Sequence, residues 1–171
     1  MPYEDVPEFI RALHQRQDGS VAAVALEFLI LTAARSGEVL GMKWSEAPDF
    51  ETNRLWTIPA KRMKGGREHK VPLSDRAIEI LRRRYEQRAI GDYVFTAHRR
   101  PTPLDEKAMR QILRKMGVSA TVHGFRSSFR DWAGDETDHA RETAEACLAH
   151  QAGDDTERRY RRRTALKKRR E

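Results

Sequence analysis

The sequence predicts a mainly helical α+β domain with a small antiparallel sheet inserted among the helices. Three observations carry this expectation. Apolar residues recur at helical spacing through most of the chain. Two short strand-like segments flank a basic Gly-Gly tip. A chain of 171 residues, 39% of them hydrophobic, fits one domain with one core. No apolar run approaches the roughly 18 residues of a membrane span. The opening Met1-Pro2-Tyr3-Glu4-Asp5 lacks the basic-then-apolar pattern of a secretion signal. A single cysteine, Cys147, excludes an internal disulfide and a cysteine-based zinc site.

The elements follow in order. Val6, Phe9, Ile10 and Leu13 form one helical stripe. Val21, Val24, Ala25, Phe28, Leu29 and Thr32 form a second, with Ser20 placed to cap it. Ser36 can cap a short helix through Leu40, which Gly41 ends. Residues Arg54 to Pro59 and His69 to Leu73 read as two strands, placing the sheet within residues 44–73. Between them, Lys61-Arg-Met-Lys-Gly-Gly-Arg-Glu68 is a basic hairpin tip. Ser74 caps a helix carrying Ile78, Leu81 and Tyr85, and Tyr93-Val-Phe95 is a brief apolar stretch. Met109, Ile112, Leu113 and Met116 mark a helix closed by Gly117. Phe125, Phe129, Trp132 and Ala133 mark the next, and Ala144, Cys147 and Leu148 a shorter one.

The net charge of +7 is local rather than general. Arg158 to Glu171 holds nine basic residues and one acid, a balance of +8, which leaves −1 for the rest of the chain. Such a run is usually a solvated tail. This one, however, contains Tyr160 flanked by Arg158, Arg159, Arg161, Arg162 and Arg163. A polyanionic partner is the class that such a segment suits.

Several places carry groups suited to a phosphate. Arg35 and Glu38 are three apart and can share a face near a helix N-terminus. Lys64 sits at the hairpin tip. His123 and Arg126 are also three apart, on a wheel position away from the stripe of Phe125, Phe129 and Trp132. His150 follows a helix, and Tyr160 comes ten residues later. Taken singly, each has an ordinary explanation: a surface ion pair, an exposed lysine, a helix-end histidine. Their joint order is what carries weight.

That order, Arg35, Lys64, His123-Gly-Phe-Arg126, His150 and Tyr160, resembles the catalytic set of the tyrosine recombinases, the phage and prophage integrases. Leu31-Thr-Ala-Ala-Arg-Ser-Gly-Glu-Val-Leu40 is similar to the family's first arginine segment. Ile58 to Ser74 is similar to the lysine hairpin of prophage-type integrases, with Lys64 rather than Lys61 at the catalytic position. Val122-His-Gly-Phe-Arg126 matches the His-x-x-Arg box. Leu148-Ala-His150 and Glu157-Arg-Arg-Tyr-Arg161 match the second histidine and the nucleophile segment. The resemblance spans roughly residues 1 to 163 and implies a tyrosine-recombinase catalytic fold. Residues 1–171 then read as a single catalytic domain with a basic segment at 158–171. Members normally carry a core-binding domain, often an arm-binding domain, and a longer C-terminal segment. The expectation is therefore an excised or truncated catalytic domain.

The resemblance implies site-specific recombination, in prophage integration or excision, through a 3′-phosphotyrosyl intermediate. Tyr160 is the implied nucleophile, since a phenolate can form a reversible phosphoester. Arg35 and Arg126 suit the non-bridging oxygens, because a guanidinium stays charged and binds two oxygens at once. His150 adds a further donor. Lys64 is the implied general acid for the leaving 5′ oxygen, and His123 the proton acceptor or hydrogen-bonding assistant of Tyr160. Glu38 orients His123 or the arginines. Lys61, Arg62, Arg67, Arg158, Arg159 and Arg161 are expected to meet double-stranded DNA. No metal or cofactor is expected, self-association on DNA is, and the implied location is the bacterial cytoplasm at the nucleoid. Competing readings are a DNA-binding remnant without activity, a type IB topoisomerase-like relaxing enzyme, and a basic RNA-binding module. The last is disfavoured by the lack of an aromatic RNP-type strand.

Overall fold

In the computed structural model, residues 1–88, 91–96, 101–150 and 166–170 are described. Among them the α-helices are α1 (Val6–His14), α2 (Val21–Thr32), α3 (Ser36–Leu40), α4 (Phe50–Asn53), α5 (Asp75–Glu86), α6 (Ala108–Lys115), α7 (Gly124–Asp135) and α8 (Arg141–Cys147). Strands β1 (Leu55–Ile58) and β2 (His69–Pro72) pair antiparallel, with Leu55 opposite Pro72 and Ile58 opposite His69. Helical turns at Tyr3–Asp5, Trp44–Glu46 and Ala60–Arg62 complete the described elements.

Helix α2 is the centre. Ser20 caps it, its Oγ accepting from the Ala23 N–H at 3.3 Å. Only part of its burial follows the expected stripe. Val21 and Val24 are half-buried, whereas Ala23, Leu26 and the charged Glu27 are buried too. The reason is that α1, α3, α5 and α6 all pack on it, so a single-face pattern understates its burial. Phe28 joins Trp56 of β1 (ring centroids 5.7 Å apart) and Phe95 (5.4 Å). Fully burying each such side chain contributes about 1.5–3 kcal/mol. This cluster fixes the sheet against the helices and sets the base of the basic hairpin.

Helices α2 and α5 start where the serine caps dictate, and α3 starts one residue earlier than expected. Ser74 Oγ accepts from Ala77 N–H at 3.3 Å and starts α5. The cap of α3 is Arg35, not Ser36, because the Glu38 carboxylate reaches back to the Arg35 N–H at 2.7 Å. This is the return half of a capping box. The residues before it turn sharply: Ala33 closes α2 in the left-handed region, at φ 49°. Four elements were not legible, the four-residue α4 and the turns at Tyr3–Asp5, Trp44–Glu46 and Ala60–Arg62, all too short to show a period.

Candidate active site

The turn between α2 and α3, the buried flank of α7 and the end of α8 meet at one place. Arg126 is central. It is only 4% exposed, although its wheel position lies away from the stripe of Phe125, Phe129 and Trp132. Helix α7 packs on two sides: Phe125 lies 5.2 Å from Phe9, while the Arg126 flank faces α8 and the α2–α3 turn. One guanidinium nitrogen donates to the Ala33 carbonyl. The other terminal nitrogen donates to the Leu148 carbonyl at 2.5 Å and lies 3.2 Å from His150 Nε2. Its Nε has no partner among the described residues. Burial, then the charge of Arg35, pushes the guanidinium down to about 10, against the attraction of Glu38. It still carries its charge at neutral pH.

Arg35 is the second cation. Its Nη1 pairs with the buried Glu38 at 2.8 Å, and its side chain remains 27% exposed. Glu38 thus orients Arg35 twice, through backbone and side chain, rather than His123. His150 is turned into the site by Ala149, which is left-handed at φ 52°. The His150 N–H closes on the Glu145 carbonyl at 2.9 Å.

The structure brings Arg35, Glu38, Arg126 and His150 together. His123 occupies the N-cap of α7, one turn before Arg126, and is exposed. Lys64, Lys61 and Arg67 are exposed on the hairpin, beside Gly66 at φ 63°. Arg62 differs from them. It points inward, pairing with Glu46 and donating to the Glu38 carbonyl, with Gly37 O at 3.3 Å. A guanidinium held in this way by a buried carboxylate and carbonyls has fewer free donors for a phosphate than Lys61 or Lys64. Tyr160, Arg158, Arg159 and Arg161 lie outside the described residues.

Three participants were missed. Glu145 holds His150 Nδ1 at 2.7 Å, and Arg130 holds Glu145 at 2.7 Å. His69, at the base of the hairpin, is pushed down to about 4 by burial first and then by the charge of Arg169, whose guanidinium lies 3.4 Å away. Its place as the first residue of a strand, next to a lysine-bearing tip, was the available signal.

The buried Arg126, the half-buried Arg35 and His150 converge from three elements within a tyrosine-recombinase catalytic fold. Solved structures share that fold. A lambda integrase dimer bound to a COC′ core site aligns with a TM-score of 0.65 at 19% identity, covering 89% of this chain and 57% of that one. A lambda integrase tetramer bound to a Holliday junction gives 0.61 at 20% identity over 87% and 45%. XerA recombinase gives 0.57 at 16% identity over 93% and 60%.

The chain belongs to the phage integrase family, whose profile matches residues 1–166. It is 32% identical to an integrase of Shigella phage Sf6, over all of this chain and 45% of that protein. It is 33% identical to the prophage integrase IntZ of Escherichia coli K12, over 88% of this chain and 37% of that protein. The chain therefore spans less than half the length of these curated relatives. Among the described residues, no helix is long and apolar enough to cross a membrane.

Proposed function

We propose that this chain is the DNA-cleaving and joining part of a site-specific recombinase acting in prophage integration or excision. One observation carries the reading: Arg35, Arg126 and His150 converge from separate elements on one place, with an Arg126 nitrogen left over. Donors aimed together at a developing oxyanion each contribute about 10²–10³ in rate. Double-stranded DNA is the proposed partner, with self-association on DNA, as in the lambda integrase complexes.

In the proposed step the Tyr160 oxygen attacks the scissile phosphorus and its proton passes to His123. The bond to the 5′ oxygen breaks, and Lys64 protonates that oxygen. Arg35, Arg126 and His150 hold the non-bridging oxygens. The product is a 3′-phosphotyrosyl link and a free 5′-hydroxyl. The link retains the phosphodiester's energy, so an incoming 5′-hydroxyl can reverse the step. Lys64 on an exposed hairpin suits an acid that enters with DNA. Lys61 and Arg67 supply phosphate contacts, as do Arg158, Arg159 and Arg161.

A duplex selected for binding from a random-sequence pool, nicked beside the scissile phosphate, tests this. In EDTA the chain should form a covalent complex that survives denaturation. Tyr160→Phe should form none. A complex of equal yield from that variant refutes the assignment.

A further inference from the structure

His150 is held from both sides. Its Nδ1 lies 2.7 Å from Glu145 Oε2, and its Nε2 lies 3.2 Å from a terminal nitrogen of Arg126. The other Glu145 oxygen accepts from Arg130 Nε at 2.7 Å. Burial alone would push the Glu145 carboxyl up, but the hydrogen bonds from Arg130 and His150 outweigh it and hold the group ionised. An ionised carboxylate has no hydrogen to give, so Nδ1 must carry one. Arg126 is donor-only, so the Nε2 of a neutral ring accepts from it. These partners together select the Nδ1–H tautomer. A bare Nε2 cannot donate to a phosphate oxygen. For that role the ring needs a second proton, and with Nδ1–H already held by the Glu145 carboxylate, Nε2 is the atom that takes it.

We propose that Glu145, braced by Arg130, is a positioning residue: it fixes the ring of His150 and lets Nε2 present a hydrogen to the scissile phosphate. This rests on the cleavage reading above. Among the described residues, the charged groups facing the ring are Arg126 from α7 and Glu145 from α8, with Arg130 acting through Glu145. None of the sequence motifs contains Glu145 in a chemical role, and α8 carries it five residues before His150.

Two measurements test it. Long-range ¹H–¹⁵N spectra of the chain without DNA read the tautomer directly. Wild type and Glu145→Gln should show Nδ1–H at His150, since the amide oxygen still accepts. Glu145→Ala should give the other tautomer or a mixture. With nicked duplex, Glu145→Gln should slow covalent complex formation about tenfold and leave DNA affinity within twofold. Arg130→Gln should slow it less, about threefold. The proposal is overturned if His150 keeps the Nδ1–H tautomer in Glu145→Ala, or if Glu145→Gln cleaves at the wild-type rate. The spectra need no activity. A wild-type chain that fails to cleave therefore counts against the recombinase reading, while the tautomer result judges Glu145 separately.

Discussion

Two buried polar centres lie along α2, one at its middle and one beyond its C-terminus, and they are built to opposite rules. At the middle Glu27, 1% exposed, is saturated: His14 at 2.7 Å, Gln17, and Arg76 at 2.8 and 3.0 Å all meet its two oxygens. Burial would raise its pKa, but the bonds from Arg76, Gln17 and His14 prevail and hold it below the usual value. Arg76 is correspondingly held above its own, chiefly by its hydrogen bond to Glu27. Beyond the C-terminus of α2, Arg126 sits among carbonyls and a second cation, with one nitrogen unpartnered among the described residues and its pKa lowered. A buried charge without an ion-pair partner is costly. The first centre is closed and ties α1, α2 and α5 together. The second has no carboxylate bonded to its guanidinium among the described residues, an arrangement that the phosphate of the proposed function would complete.

The sharpest way to break that contrast is Arg126→Lys. An ammonium cannot reach Ala33, Leu148 and a phosphate oxygen together, because it lacks the planar fork. Covalent complex formation should fall about 10²–10³-fold, read by denaturing gel against the wild-type chain. Thermal melting of the same variant separates lost chemistry from lost folding. Wild-type cleavage by Arg126→Lys would mean that this centre does not hold the phosphate.

Glu27→Gln should do the reverse. Shape is kept and the charge is removed, so stability should drop by about 2 kcal/mol at pH 7, since bonds to charged groups contribute about 1.5–3 kcal/mol. Cleavage per folded molecule should stay within twofold. The pH dependence has a definite sign. The folded-state pKa of Glu27 is depressed below the ordinary carboxylate value of 4.5. Its contribution is therefore complete above about 4.5 and disappears as pH falls through the folded value. Urea unfolding at neutral and at strongly acid pH should show the gap between wild type and variant closing in acid. An equal gap at both would contradict the saturated-carboxylate account.

How legible these centres were follows from what each depends on. The stripes through Phe9, Leu13, Phe28 and Leu113 declared helices because packing follows the helical period. Arg35, Arg126 and His150 were legible through their order along the chain, not through burial; a wheel put Arg126 away from the apolar stripe but gave no sign that a second flank of the helix is buried. Glu145 was invisible because its role arises only when the end of α8 folds back to place His150. Glu27 was hidden for a similar reason: its partners come from residues 10, 13 and 49 positions away. Such contacts belong to tertiary structure and leave no local pattern.

Adjacent hairpin residues sharpen the same contrast at smaller scale. Lys61 is exposed, whereas Arg62 enters a closed network in which Glu46 also accepts from Trp56 Nε1 at 2.9 Å. Arg62→Ala strips the buried Glu46 of its cation and should lower stability by about 1–3 kcal/mol. Lys61→Ala should leave stability within about 0.5 kcal/mol. DNA binding should divide them the other way. If Lys61 contacts a phosphate, its loss weakens binding and reduces the slope of log affinity against log salt by about one. Arg62→Ala should leave that slope unchanged at temperatures where the variant is folded, because its guanidinium faces Glu46 and not solvent. Salt titrations of both variants on one duplex decide the matter: a reduced slope for Arg62→Ala would show that its inward pairing opens on DNA.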